Sequence, residues 1–130
     1  MHWLEEQVER LHTLADGQLT RGAGRQQFLE GVRAVAREVA GRAGVTACFV
    51  CHDGLLVDTA GAAPDFEALS AMTQHFVAAG KDAAGTLELG RVKQLVVVGA
   101  DHKLALFVIG QLAVGILSPS TVNLASTLAS

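Results

Sequence analysis

Tyrosine is absent from this chain and tryptophan occurs once. With five phenylalanines, aromatics make up 5% of the residues, too few for the stacking platform that holds single-stranded nucleic acid. An excess of positive charge is also missing. The formal net charge is −3, so there is no basic footprint for a phosphate backbone. Residues 1–42 hold six Lys/Arg and six Asp/Glu, and residues 43–130 hold four and seven. This mild acidic excess in the second part favours solubility and disfavours nucleic acid and anionic membranes. No apolar run reaches the length of a membrane span, since even Leu104–Leu117 is broken by Gly110-Gln111. The acidic start Met1-His2-Trp3-Leu4-Glu5-Glu6 lacks the apolar core of a signal peptide, so a cytoplasmic location is expected. Two cysteines three residues apart make no disulfide framework. Gly-x-Ser-x-Gly, a Walker loop and a dinucleotide fingerprint are all missing. No nucleophile stands beside a base. The expectation is a protein that is not an enzyme and carries no cofactor and no metal.

What is present is a folded chain of 130 residues, half of them hydrophobic, enough for one domain with a real core. Leu4, Val8, Leu11 and Ala15 recur at helical spacing and predict a first helix over residues 2–16, with Gly17 as its stop. Its plainest role is to pack on the domain. Thr20-Arg21-Gly22-Ala23-Gly24 reads as a short link, which divides the chain into residues 1–24, a helix and linker, and residues 25–130, the main domain. A second helix is predicted over residues 25–43. Phe28, Leu29, Val32, Val35, Ala36 and Val39 lie on one face, Arg25, Arg33, Arg37 and Arg42 largely on the other as a solvated face, and Gly44 closes it.

Val45–Cys51 and Leu55–Ala60 are β-rich runs around His52-Asp53-Gly54, a strong hairpin signal. Asp65 is a good N-cap for a helix over Phe66–Gly80. That helix carries a wide apolar arc of Phe66, Leu69, Met72, Phe76 and Val77 with four alanines. One sheet face needs only a stripe, so the arc implies a second apolar partner, often another copy of the chain. Three further strands follow: Gln94–Ala100, Lys103–Ile109 and Leu112–Leu117. Residues 95–98 and 104–109 are almost continuously apolar, which predicts cover on both faces. Thr86–Leu89 reads equally as a short strand or a loop. Ser118-Pro119 reads as a cap and first residue of a helix over 119–129, with Val122, Ala125 and Leu128 facing inward. Tight hairpins make neighbouring strands antiparallel, and helices on both faces make an α/β/α sandwich.

Cys48-Phe49-Val50-Cys51-His52 matches the c-type haem attachment pattern. On a strand, however, Cys48 and Cys51 point to opposite faces and cannot hold one macrocycle. Two buried hydrophobes on a central strand are the better reading. Structural zinc would need two more ligands at suitable spacing. His52-Asp53 and Asp101-His102 look like acid–base pairs, but adjacent residues in turns are expected to point apart.

From about residue 25 onward the chain resembles the roadblock/dynein light-chain family in its bacterial and archaeal form. The resemblance rests on Val45-Thr46-Ala47-Cys48-Phe49-Val50, on Asp53-Gly54-Leu55-Leu56-Val57-Asp58, and on the helix start Asp65-Phe66-Glu67-Ala68-Leu69-Ser70-Ala71-Met72. The paired strands Gln94-Leu95-Val96-Val97-Val98 and Leu104-Ala105-Leu106-Phe107-Val108 and the following Leu112-Ala113-Val114 complete it. The helix over 2–16 has no counterpart in the shortest family members. The resemblance implies one five-stranded antiparallel sheet between a central helix and flanking helices. It also implies a homodimer in which the central helix and an edge strand pair with their mates. The residues expected at that interface are Leu69, Met72, Phe76 and Val96. Roadblock proteins regulate or scaffold small Ras-like GTPases, so the expected function is a non-catalytic adaptor for such a GTPase or a signalling complex. The alternative from another class is a small-molecule sensor of the profilin, PAS or GAF kind, which would need polar groups converging in an apolar pocket.

Overall fold

In the computed structural model, described for residues 2–18, 22–63 and 65–129, five strands form one antiparallel sheet in the order β2-β1-β5-β4-β3. The elements in chain order are α1 (His2–Gln18), α2 (Gly22–Ala40), β1 (Ala47–His52), β2 (Leu55–Gly61), α3 (Phe66–Thr86), β3 (Gln94–Val98), β4 (His102–Ile109), β5 (Leu112–Pro119) and α4 (Leu124–Thr127). Alternation along the strands divides the core in two. Cys48, Val50, Ala105, Phe107, Val114 and Ile116 face α1 and α2. Phe49, Cys51, Leu104, Leu106, Val108 and Ala113 face α3. The result is the predicted sandwich of one sheet between a central helix and flanking helices.

The first hairpin turns on Asp53 and Gly54, with φ of 50° and 79°. Two positive φ values match the turn to the twist of the strands it joins. The β1–β2 ladder carries a bulge between Val50 and Cys51. Asp65 caps α3 as expected, accepting from the Ala68 N–H at 3.0 Å.

Several boundaries differ from the sequence expectation, each for a physical reason. Helix α1 runs through Gly17 to Gln18. Helix α2 begins at Gly22 and absorbs most of the expected link, whose Thr20 and Arg21 lie outside the described residues. It ends at Ala40, and Gly44 takes its φ of 87° in the following turn. Helix α3 passes Gly80 and continues to Thr86. Gly80 is a point of close approach: a Cβ there would stand 2.6 Å from Leu95 Cδ2 on β3. Thr86–Leu89 is therefore the helix end and a turn. The Ser118-Pro119 helix start is overruled by the sheet. Strand β5 pairs through Pro119 with His102 of β4, and Ser120 is held by Asp101 and Ala100 carbonyls. Only Leu124–Thr127 is helical, capped by Asn123, with Leu124 and Leu128 buried and Ala125 exposed.

Helix α1 is built into the core. Leu4, Val8 and Leu11 are fully enclosed or nearly so. A Cβ on Gly31 would stand 2.8 Å from Leu11 Cδ2, so α1 and α2 cross in close contact. Arg42 departs from the solvated face expected of it. Its guanidinium stacks 4.1 Å over the Trp3 ring, donates to the Thr127 carbonyl at 3.0 Å and pairs with Glu38 at 3.2 Å. It thereby ties the start, middle and end of the chain together.

Candidate interaction surface

Two apolar features of this sheet lack cover among the described residues, and both involve elements already singled out by the sequence. The first is β3. As an edge strand it offers one row of backbone groups to a further strand. Its apolar run does not have the cover on both faces expected of it. Val96, Val97 and Val98 are 47%, 43% and 65% exposed, whereas the equally apolar β4 is buried from Leu104 to Val108. The difference is position: β4 is flanked by β3 and β5, and β3 has a neighbour on one side only.

The second is the outer side of α3. Leu69 and Phe76 are half-buried, packed with Phe66 and Val77 on the sheet. Met72, three residues after Leu69, is 46% exposed. Beside Met72 and Leu69 runs an apolar groove of about 460 Å³, floored by Leu117 and Ala62 and ending at His102.

The structure brings Leu69, Met72 and Phe76 together on one stripe of α3. It does not bring Val96 to them. Val96 pairs with Ala105, which faces α1 and α2, so Val96 lies on the opposite face of the sheet. The β3 residue on the α3 face is Val97, paired with Leu104. Strand alternation puts Val97 on the same face as Leu95, and the pairing with Leu104 shows that this is the α3 face. Leu87 and Leu89, also strongly exposed, flank Glu88 at φ 57° where α3 turns toward β3.

The cysteine motif resolves as alternation requires. Cys48 faces α2 and Cys51 faces α3, where its Sγ lies 3.1 Å from the Ser70 hydroxyl. Burial pushes the Cys48 thiol up to about 12, assisted by the Asp58 carboxylate. Burial also raises Cys51, opposed by its hydrogen bond with Ser70. These are protonated, unreactive thiols at neutral pH. Among the described residues no three His, Cys, Asp or Glu side chains group to hold a metal ion. His52 and Asp53 do not point apart as expected. The tight turn brings His52 Nδ1 to 3.6 Å from Asp53 Oδ2, and the His52 ring packs edge-on against Phe28 at 5.4 Å. Asp53 remains mostly exposed, so the contact is a surface pair closing the hairpin. No helix among the described residues is long and apolar enough to cross a membrane.

The family profile described as Roadblock/LC7 domain matches residues 31–117. Among solved structures, MglB from Myxococcus xanthus superposes with a TM-score of 0.69 over 78% of this chain and 78% of its own, at 19% identity. The gliding protein MglB from Thermus thermophilus gives 0.67 over 78% of this chain and 79% of its own, at 18% identity. A Roadblock/LC7 domain from Streptomyces avermitilis gives 0.62 over 70% and 79%, at 21% identity. At such identities the likeness is one of fold. No curated protein matches the sequence.

Proposed function

The chain belongs to the Roadblock/LC7 domain family, and from that premise we propose that it is a non-catalytic homodimeric adaptor that engages a small Ras-like GTPase or scaffolds a signalling complex. The observation that carries the dimer is the coincidence of an exposed apolar edge strand, β3, with the exposed Met72 on α3 beside the half-buried Leu69 and Phe76. Pairing β3 with its mate across a twofold would satisfy the open strand edge and extend the sheet. It would shelter Val96 and Val98 on one face and Val97 on the other. The same operation sets two α3 helices side by side, with Met72 and the Leu69 groove between them. Leu69, Met72, Phe76 and Val96 are then interface residues, joined by Val97.

The GTPase half of the proposal is supported by family membership, and no residue is assigned a part in hydrolysis. Two experiments test the reading. Sedimentation of the wild type should give a dimer, and Met72→Asp, at an exposed position, should give a folded monomer. A folded dimer from Met72→Asp removes α3 from the interface. The protein as bait in a lysate of its source organism, with and without a non-hydrolysable GTP analogue, should enrich a Ras-like GTPase with the analogue. No GTPase in either condition leaves a structural dimer.

A further inference from the structure

Helix α1 does more than close the core, because it also builds one wall of a cleft on the sheet face away from α3. Glu5, Val8 and Glu9 occupy neighbouring positions on one side of α1. Opposite them stand Arg91 and Lys93, from the segment that leads into β3, with the buried Phe107 between the walls. The cleft holds about 130 Å³. That is room for several water molecules and well below the roughly 300–1,000 Å³ of pockets for drug-sized ligands. A nucleotide or a flavin is excluded by size.

Charge narrows the class further. One wall carries two carboxylates and the other an ammonium and a guanidinium. Among the described residues none of the four is in an ion pair. A simple anion would be drawn to Arg91 and Lys93 and repelled by Glu5 and Glu9, and a simple cation would meet the reverse. The four charges sum to zero, so neither ion gains net attraction from the cleft as a whole. A molecule with an ammonium at one end and a carboxylate at the other satisfies both walls, and the Val8 and Phe107 side chains offer an apolar seat for its body.

We propose that this cleft binds a small zwitterion of the amino-acid class, a single α-amino acid with an apolar side chain. Glu5 and Glu9 receive its ammonium, and Arg91 and Lys93 its carboxylate. The site is complete within one chain and does not depend on the dimer or on a GTPase. Because Arg91 and Lys93 directly precede β3, an occupied cleft fastens the edge strand to α1.

The test is titration of the full chain with L-alanine, L-valine and L-leucine, followed by amide chemical shifts in NMR. Saturable shifts confined to residues 5–9, 91–94 and 107–109 are expected with at least one of the three. The methyl ester, lacking the carboxylate charge, and the desamino acid, lacking the ammonium, should each bind about tenfold more weakly or worse. Glu9→Gln and Lys93→Gln, both at exposed positions, should weaken binding by a similar factor without unfolding the protein. Three results overturn the proposal. One is the absence of saturable shifts from all three ligands. Another is equal binding of the uncharged analogues. The last is loss of thermal stability in both variants with no ligand bound by the wild type, which would make the four charges a clasp between α1 and β3.

Discussion

The ring of Phe49 fills the space that a side chain at residue 115 would need. The two residues are cross-strand partners in the β1–β5 ladder, and a Cβ on Gly115 would stand 2.2 Å from Phe49 Cζ. A glycine inside a central strand weakens it, and here the aromatic ring covers the gap. Gly115→Ala should therefore cost about 1–3 kcal/mol through overpacking, although alanine is a small residue. In a Phe49→Leu background the same substitution should cost at least about 0.5 kcal/mol less, since the two sites are in contact. Urea unfolding of the four-corner cycle measures this. Strictly additive costs would mean that the ring moves aside freely.

Much of this architecture is legible in the sequence because its signals are local. Asp53-Gly54 names its turn, Asp65 names its cap, and Leu4, Val8 and Leu11 name a buried helix face. The errors arise where tertiary contact outweighs a local signal. Gly80 reads as a stop and is a contact with Leu95. Ser118-Pro119 reads as a helix start and stays in the sheet, because His102 and Lys103 pair with those two residues. Arg42 reads as a surface charge and lies over Trp3, 39 positions away, a neighbour that no spacing rule reveals. At the candidate interface, Leu69, Met72 and Phe76 follow from helical periodicity. Val96 and Val97 have the same apolar character, and only the register with Ala105 and Leu104 tells which face each occupies.

The cysteines make an alkaline prediction whose sign follows from their burial. Cys48 titrates at about 12 in the folded chain, against 9.0 for the ordinary thiol, so the folded state holds its proton longer than the unfolded state. The associated stability is fully present below pH 9 and is lost as pH rises from there toward 12. Chemical denaturation should show a plateau below pH 9 and a declining limb above it. Cys48→Ala should lower the plateau through its cavity and make the limb shallower. Native protein at pH 8 should leave both thiols unmodified by a disulfide reagent within the time that unfolded protein reacts completely.

Arg42 supplies a test of whether α1 is held by its apolar face alone. Its guanidinium reaches Trp3, Glu38 and the Thr127 carbonyl together. Lysine keeps the charge and cannot reproduce a planar fork and stack. Arg42→Lys should cost about 1–2 kcal/mol, which combines a cation–π contact with a hydrogen bond to a charged group. Leu11→Ala, at the crossing of α1 with Gly31, should cost about 2–5 kcal/mol. Hydrogen exchange should show protection in α1 falling in both variants. Unchanged exchange in Arg42→Lys would mean that the apolar face suffices.

The edge strand separates the dimer proposal from a general tendency of exposed apolar residues to associate. Val97 lies on β3, on the α3 face, and Leu55 is the more exposed residue, 72% against 43%, at the start of the opposite edge strand β2. If exposure alone drove association, Leu55→Lys would have the larger effect. If β3 pairs across a twofold, Val97→Lys places two lysines close to the symmetry axis, where like charges on paired strands repel. Sedimentation equilibrium should then show the Val97→Lys dimer weakened at least about tenfold, the equivalent of about 1.4 kcal/mol, with Leu55→Lys unchanged. High salt should restore part of the loss by screening the lysines. Equal dimers from both variants would move the interface away from β3 and onto α3 alone.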